Sequence, residues 1–527
     1  MGIYVNPGTK NFAKDINDDF YVDKSMLIKV LNNRINRRNC YCCVSRPRRF
    51  GKTMAANMIS AYYSKGCDSH EIFSNLKISK DPTFKENINK YTVIKLDMND
   101  VVTNKGDDSV TEYINKEVVS ELKKVYSFLA LEDNISLSKA TKEIYSLTED
   151  QFVFVIDEYD VVIRDEEYSK DLKDYLNFLV SLFKNSVTES AIALAYLTGI
   201  MPIIREKTQS KLNNFTEYSM FDAGEMVPFM GFTEDEVRSL SINADMDFVE
   251  LKHWYDGYKL CGTDIYSPSS VITAVTKRFC DDYWGYTGMF TSLRDLILKD
   301  YVGVRHDVIQ MISGDRVSID PMKYDNSMTR FESKDEIFTC LVHLGYLGFD
   351  NEKKECFIPN YEIKREWIRS IEGIPQYENS SEIVKHSDAL MKALWKGDEE
   401  TVAEGVKTAH MDISSNLTYN KENEFRCAVR YAFCTADRYY TVVNELPAGK
   451  GFADIVFIPQ DGTVPLIVVE LKRDTRVDKA IDQIKSREYP ESLRQYKDNM
   501  ILVGLSYNTT TKEHFCRIER VNDKVSR

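Results

Sequence analysis

Two stretches of this chain carry residue types that could do chemistry. The first is Arg46-Pro47-Arg48-Arg49-Phe50-Gly51-Lys52-Thr53, read together with Asp157-Glu158 further along. Glycine, lysine and a hydroxyl residue at the start of a helix make a phosphate cradle. Backbone N–H groups point at the anion, the ammonium reaches the β- and γ-phosphates of a nucleotide such as ATP, and the hydroxyl meets Mg2+. The pattern G-x-x-x-x-G-K-[ST] is met at Gly51, Lys52 and Thr53, but Arg46 stands where its first glycine belongs. The apolar run Phe152–Ile156 ends in Asp157 and Glu158. An acid at the C-terminal end of a buried strand can hold the magnesium shell, and the next can polarise an attacking water. A solvated acid pair is the plainer reading of Asp157-Glu158, and the upstream Gly51-Lys52-Thr53 weighs against it. Thr198 ends the next apolar run, where it can sense a γ-phosphate, whereas Arg205 reads better as a surface arginine.

The second stretch is Gly451-Phe452-Ala453-Asp454-Ile455-Val456-Phe457, the turn Asp461-Gly462, and Leu466-Ile467-Val468-Val469-Glu470-Leu471-Lys472. A hairpin centred near Gly462 sets Asp454 opposite Glu470 on one face, with Lys472 on that face two residues on. Two facing carboxylates repel unless a cation lies between them, and oxygen ligands suit Mg2+ or Mn2+. The Lys472 ammonium can position a water or steady the charge of a developing phosphorane. Solvated charges on an exposed hairpin are the alternative; the run Leu466–Val469, apolar on both faces, speaks against it. On the helix that follows, Gln483 and Lys485 could support the site or contact a phosphodiester, and ordinary helix-surface roles fit either equally.

Positioning these residues takes two sets of strands. From Tyr21 to Arg205, strands at Tyr41–Ser45, Thr92–Leu96, Phe152–Ile156 and Ile192–Leu197 alternate with helices at Thr53–Tyr63, Ser109–Leu131 and Asp171–Phe183, an α/β pattern. From Phe232 the pattern is mostly helical. It ends in a helix to Leu344 and a hairpin over 346–358, which suits a winged-helix-like module or a small helical lid equally. Glu372–Ser381, with Gly, Pro, Asn and two Ser, is the candidate linker. Helices then run to Ala436, followed by strands at Tyr439–Leu446, Gly451–Pro459 and Val464–Lys472, a helix Val477–Arg487, and strands near Met500–Leu505 and His514–Ile518.

Composition bounds the rest. With 527 residues, 43% hydrophobic and 29% charged, the chain is long enough for several cored domains. A net charge of −13 excludes a uniformly basic nucleic-acid coat, though not a local basic groove. No apolar run reaches the roughly 20 residues of a membrane span and no signal peptide is visible, so the expectation is a soluble, cytoplasmic protein without a membrane partner. The 11 cysteines form no framework; Cys40, Cys42 and Cys43 read as buried thiols rather than a zinc site. The basic run from Lys29 to Lys52 could face nucleotide phosphates in part; the remainder could be a partner or nucleic-acid surface, or a solvated face.

Further motifs extend along the chain: Phe20-Tyr21-Val22-Asp23-Lys24-Ser25, Ile156-Asp157-Glu158-Tyr159-Asp160, Leu197-Thr198-Gly199, Trp254-Tyr255-Asp256-Gly257-Tyr258, Asn444-Glu445 and Gly449-Lys450-Gly451-Phe452-Ala453-Asp454. With the two site stretches, they resemble the bacterial AAA-ATPase-like proteins that carry a C-terminal PD-(D/E)XK nuclease-superfamily domain. The resemblance implies an α/β chain with an AAA-like P-loop NTPase domain over 1–231, a helical or winged-helix-like region and linker over 232–381, and a restriction-endonuclease-like domain with a helical lead-in over 382–527. It implies nucleotide binding by Arg46, Pro47, Arg48, Arg49, Phe50, Gly51, Lys52, Thr53, Asp157 and Thr198, with Glu158 catalytic. Asp454, Glu470 and Lys472 match the nuclease motif, and Gln483 its supporting helix position. Metal would sit at Thr53 and Asp157, and at Asp454 and Glu470. ATP and Mg2+, with Mn2+ as an alternative at the nuclease site, are the implied cofactors; DNA, or else RNA, is the implied partner, and a homo-oligomer is compatible with the pattern. Two departures stand out: Phe452 occupies a place that is often basic in the family, and the N-terminal helix acid could be Glu422 or Glu424. A defence or mobile-element role follows only by analogy. An ATP-dependent switch or scaffold that binds nucleic acid or protein without cutting is the alternative function.

Overall fold

The run Tyr41–Ser45 forms strand β1, buried along its whole length. With β2 (Thr92–Asp97), β3 (Phe152–Asp157), β4 (Ile192–Gly199) and β5 (Thr216–Tyr218) it builds a sheet in the order β2-β3-β4-β1-β5, every pairing parallel. Parallel sheets are covered on both faces, which is why these strands read as unbroken apolar runs. Strand β4 lies between β1 and β3. Thr198, in register with Val44, therefore sits between the strand that feeds the glycine–lysine–threonine loop and the strand that ends in the two acids. Helix α1 (Lys52–Tyr63) packs across β2, β3 and β4.

The computed structural model describes residues 2–185, 189–203, 205–206, 209–210, 212–285, 290–299, 301–325, 331–414, 422–448, 451–460, 462–486, 493, 496 and 499–521. Gly449, Lys450, Asp461, Arg487 and the side chains of Arg205 and Glu422 lie outside the described set. The chain divides into two units, one of residues 1–283 and 318–360, the other of 284–317 and 361–527. The helix Lys334–Leu344 and the hairpin strands Gly348–Asp350 and Glu355–Phe357 belong to the first, and the helix Tyr361–Ile371 to the second.

In the second unit, β6 (Tyr440–Ala448), β7 (Gly451–Pro459), β8 (Leu466–Arg473), β9 (Met500–Tyr507) and β10 (His514–Val521) lie side by side in chain order. All pairings are antiparallel except β8 with β9, which run parallel. A parallel pair needs a crossover, and the connection carries helix α2 (Asp478–Lys485). Ile481 and Ile484 of α2 pack on Val456, Val468 and Leu502. The opposite face carries Phe457 and Tyr507, which meet Phe433 and Phe425.

Two expectations change. The helix anticipated over 109–131 spans Val110–Val125. Ser109 and Glu112 close a capping box at its start, and at its end Tyr126 leaves the helix so that its hydroxyl meets Thr92 and Asp150 at 2.6 and 2.9 Å. The segment Glu372–Ser381, read as a linker, holds a short turn at Pro375–Tyr377 and the start of the helix Glu378–Lys396. Its Gly, Pro and Ser content is overridden by burial of Ile374 and Tyr377 and by Arg305, which donates to Gln376 O at 2.7 Å and Ser380 Oγ at 2.9 Å. Cys40, Cys42 and Cys43 are buried free thiols, and among the described residues no helix is long and apolar enough to cross a membrane.

Candidate functional site

The chain leaves β1 at Ser45 and enters α1 at Lys52, so the intervening loop lies at the C-terminal edge of the sheet. Gly51 caps α1 with φ of 83°, and a Cβ there would meet nothing within 4 Å. The glycine is needed for its left-handed backbone, not for room. Lys52 is buried: its Nζ donates to the carbonyl oxygens of Arg46 (3.1 Å) and Pro47 (3.0 Å) and lies 3.4 Å from Glu158 Oε1. Asp157 is 0% exposed, and its Oδ1 accepts from the Glu158 N–H at 3.1 Å while Oδ2 has no hydrogen-bond donor among the described residues. Burial pushes the Asp157 carboxyl up to about 6, with the charges of Glu158 and Asp97 adding to the rise and Thr53 and Lys52 opposing it. The buried Thr198 hydroxyl also lacks a hydrogen-bond partner among the described residues. Buried polar groups are normally satisfied. A carboxylate oxygen and a hydroxyl left over beside a lysine and a loop of backbone amides fit a phosphate with its divalent ion.

Glu158 adopts a left-handed φ of 51°, an uncommon conformation for a non-glycine residue. Its carboxylate is gripped by Lys52 and by Arg164 Nη2 at 2.9 Å. Burial favours its neutral form, but the two cations outweigh burial and hold its pKa below the ordinary glutamate value. Arg164 also approaches Asp160 Oδ2 at 3.7 Å. That oxygen accepts from the N–H groups of Ile200 (3.1 Å) and Met201 (2.9 Å), just past the end of β4. A Cβ on Gly199 would come within 2.4 Å of Asp160 Oδ1, so the glycine after Thr198 makes room for this carboxylate. Two motifs that are separate in sequence thus interlock. Arg164 escaped the sequence reading, although its i,i+4 spacing from Asp160 was a usable signal. Lys95 on β2 was missed too. It donates to Asn57 Oδ1 and lies near Asp157 and Asp97, and burial lowers its pKa.

The loop residues divide into two sets. Arg49, Phe50, Gly51, Lys52, Thr53 and Glu158 line a cavity of about 380 Å³ whose remaining wall is largely apolar, including Phe12, Tyr21, Met58, Phe229, Phe232 and Ile272. Arg46, Pro47 and Arg48 do not line it. Arg46 is fully buried beneath the loop. Its N–H donates to Gly199 O (3.0 Å), its Nη1 donates to Ser45 O (2.7 Å) and Tyr218 O (3.2 Å), and burial pushes its pKa down to about 10. This side chain ties β1 to β5. Phe50 packs edge-on against Tyr258, with ring centroids 5.3 Å apart, and the Tyr258 hydroxyl donates to Gly345 O at 2.7 Å.

The hairpin site is built by register. Ile455 pairs with Val469, Val456 with Val468 and Phe457 with Ile467, the register expected from a turn near Gly462. Continued by one residue, it brings Asp454 alongside Glu470. There the strands part, and the Asp454 side chain takes over from the backbone: Oδ2 accepts from the Leu471 N–H at 2.7 Å. Lys472 Nζ donates to Glu470 Oε1 at 2.8 Å, with Glu470 buried and the Lys472 side chain 23% exposed. Two carboxylates and an ammonium thus converge at the end of β7 and β8. An all-oxygen donor pair of this kind suits a hard divalent cation. Among the described residues no group of three or more His, Cys, Asp or Glu gathers as a ligand set. Gln483 on α2 makes no hydrogen bond to this trio among the described residues. Glu424 is buried on the helix Glu422–Ala432. Tyr489, beyond α2, lies outside the described residues.

Comparison with known proteins agrees with both stretches. Residues 6–208 match the family described as predicted AAA-ATPase, and residues 420–515 match the PD-(D/E)XK nuclease superfamily. A curated relative, an uncharacterized protein in the vnfD 5′ region of Azotobacter chroococcum mcd 1, is 23% identical over 300 residues; the match covers 55% of each chain, so it spans about half the relative's length. Among solved structures, Cdc6p from Pyrobaculum aerophilum is 9% identical, covering 66% of this chain and 92% of that one, with a TM-score of 0.23. The Aeropyrum pernix ORC2 protein, solved as ADPNP–ADP complexes, is 10% identical, covering 66% and 93%, also with a TM-score of 0.23. Scores this low carry no argument about this chain.

Proposed function

We propose that this chain, which joins a predicted AAA-ATPase domain to a PD-(D/E)XK nuclease-superfamily domain, hydrolyses ATP and uses it to control a metal-dependent nucleic-acid phosphodiesterase. The functional division is an ATPase domain over 1–231, a helical or winged-helix-like region over 232–381 and a nuclease-like domain with its helical lead-in over 382–527.

In the ATPase, Lys52 exchanges the Arg46 and Pro47 carbonyls for the β- and γ-phosphates. Thr53 and Asp157 would hold Mg2+, which when bound neutralises phosphate charge. Glu158, released by Lys52 and still steadied by Arg164, orients the attacking water and accepts its proton. The Thr198 hydroxyl donates to the γ-phosphate.

In the nuclease, Asp454 and Glu470 would hold Mg2+ or Mn2+, which when bound supplies positive charge at the scissile phosphate and a more acidic water. Lys472 positions that water and offsets charge on the phosphorane, and Gln483 supports the site from α2. DNA is the substrate of this proposal, with RNA the alternative. The observation that carries the reading is the convergence of Asp454, Glu470 and Lys472, held by the 2.7 Å and 2.8 Å bonds. The test is incubation with Mn2+ and linear, circular and single-stranded DNA and RNA, with and without ATP. Chelator-sensitive cleavage that Asp454→Ala abolishes supports the proposal; cleavage identical in the two proteins overturns it. A second reading, an ATP-dependent scaffold that binds without cutting, is favoured by the exposed Phe452 at a position often basic in such domains and by the net charge of −13. Absence of cleavage on every substrate would select it.

A further inference from the structure

The sheet face that carries Asp454 and Glu470 also carries two open aromatic side chains. Phe452 lies two residues before Asp454 on β7, so strand alternation puts both on one face. Phe515 on β10 is in register with Ser506 on β9, and Ser506 with Lys472 on β8, so it shares that face. Phe452 is 56% exposed and Phe515 48% exposed. Neither ring packs on another aromatic ring among the described residues. Elsewhere on this face the apolar side chains Val456, Val468 and Leu502 are buried under α2. A single exposed phenylalanine is ordinary. Two on one face, on either side of the Asp454/Glu470/Lys472 trio, are not scattered. Phe452 stands one strand to one side of Lys472, and Phe515 two strands to the other, roughly 10 Å away at the usual strand spacing.

Cations accompany the rings. Arg517, half-exposed, is in register with Gly504 and through it with Glu470. Arg476 is largely exposed on the connection after β8. Carboxylates also face this region: Glu399 lies 3.6 Å from Arg517, Asp478 lies 3.5 Å from Arg476, and Glu519 pairs with Lys485 of α2 at 2.6 Å. The surface is therefore mixed in charge, unlike the continuous basic groove that tracks both backbones of a duplex.

We propose that Phe452 and Phe515 are base-stacking platforms and that this face takes single-stranded nucleic acid. Unpaired bases stack on the two rings while the sugar-phosphate chain passes Lys472, with Arg517 and Arg476 meeting phosphates. Every base presents a π face, so the contact tolerates any sequence. A duplex keeps its bases stacked on one another and offers the rings nothing, so the surface selects single strands or frayed ends. The inference rests on the nuclease reading of the Asp454 site and adds to it the strandedness of the substrate.

The experiment uses the full chain carrying Asp454→Ala, which blocks cleavage, and fluorescence anisotropy with a short labelled DNA strand, the matching RNA strand and the blunt duplex at one salt concentration. Single strands should bind more tightly than duplex, and the tighter of the DNA and RNA arms identifies the preferred backbone. Phe452→Ala and Phe515→Ala should each weaken single-strand binding about tenfold. Should either alanine variant lose its thermal transition, Phe452→Trp and Phe515→Trp replace it: indole fluorescence quenched by the single strand supports stacking, and unchanged fluorescence overturns it. Single-strand affinity indifferent to both alanine changes, or duplex bound as tightly as single strands, also overturns the proposal. If the chain with Asp454 intact nonetheless cuts duplex in a metal-dependent way, only the stacking inference falls. If no nucleic acid binds or is cut, the nuclease reading falls with it.

Discussion

The two candidate sites set carboxylates beside a lysine at different depths. At the loop of β1, Asp157 is fully buried and Lys52 is already engaged with loop carbonyls and Glu158. At the hairpin, Glu470 is buried, but Lys472 is partly open and Phe452 beside it is more than half exposed. The buried site suits a small ligand that must displace internal contacts to enter. The open site suits a polymer that passes across a sheet face. Charge is also balanced differently. Glu158 has two cations, Lys52 and Arg164, whereas Glu470 pairs with the Lys472 ammonium and Asp454 accepts from a backbone N–H.

The largest effects should come from the open site. Asp454→Ala should reduce cleavage below detection and leave ATP hydrolysis unchanged, and Lys472→Ala should slow cleavage ~10²–10³-fold. Parallel nuclease and ATPase assays check both; loss of ATPase in either variant would mean that the two chemistries are not separable. At the buried site, Lys52→Ala should abolish ATP binding by calorimetry, and Glu158→Gln should bind ATP but not turn it over. Equal ATP affinity in wild type and Lys52→Ala would remove the phosphate-cradle assignment.

A smaller effect tests burial itself. The Asp157 pKa of about 6 lies above the ordinary value of 3.8, so the folded state binds this proton more tightly than the unfolded state does. The associated stability is fully present below pH 3.8 and is lost as pH rises through about 6. In nucleotide-free protein with chelator, Asp157→Asn should therefore remove this decline, leaving the variant more stable than wild type at pH 8 by up to about 3 kcal/mol. Denaturant melts of both proteins between pH 4 and 8 measure it; parallel stability curves would show that Asp157 is not held neutral by burial. The smallest effect concerns support of the loop. Tyr258→Phe keeps the ring against Phe50 but loses the bond to Gly345 O, and should cost about 1 kcal/mol with ATP affinity unchanged. A large drop in ATP affinity would instead place Tyr258 in the nucleotide site.

Much of this was legible in the sequence because it depends on local rules. Continuous apolar runs marked the parallel strands, and β1 and β7 have the expected bounds. The hairpin register followed from strand period two and a turn position, which is why Asp454 and Glu470 could be paired by counting. The extent of the 110–125 helix and the helical character of Glu372–Ser381 were not legible, because Thr92, Asp150 and Arg305, distant in sequence, decide them. The sequence by itself determined the types of the reactive groups and their strand-level spacing. Only the tertiary structure decided which way each one faces. Arg46, one of a run of loop cations, is fully buried and holds Tyr218 O, while Arg164, unremarked in the sequence, reaches Glu158. Side-chain direction at such positions depends on which buried polar groups remain to be satisfied, and those come from strands and loops that local patterns do not bring together.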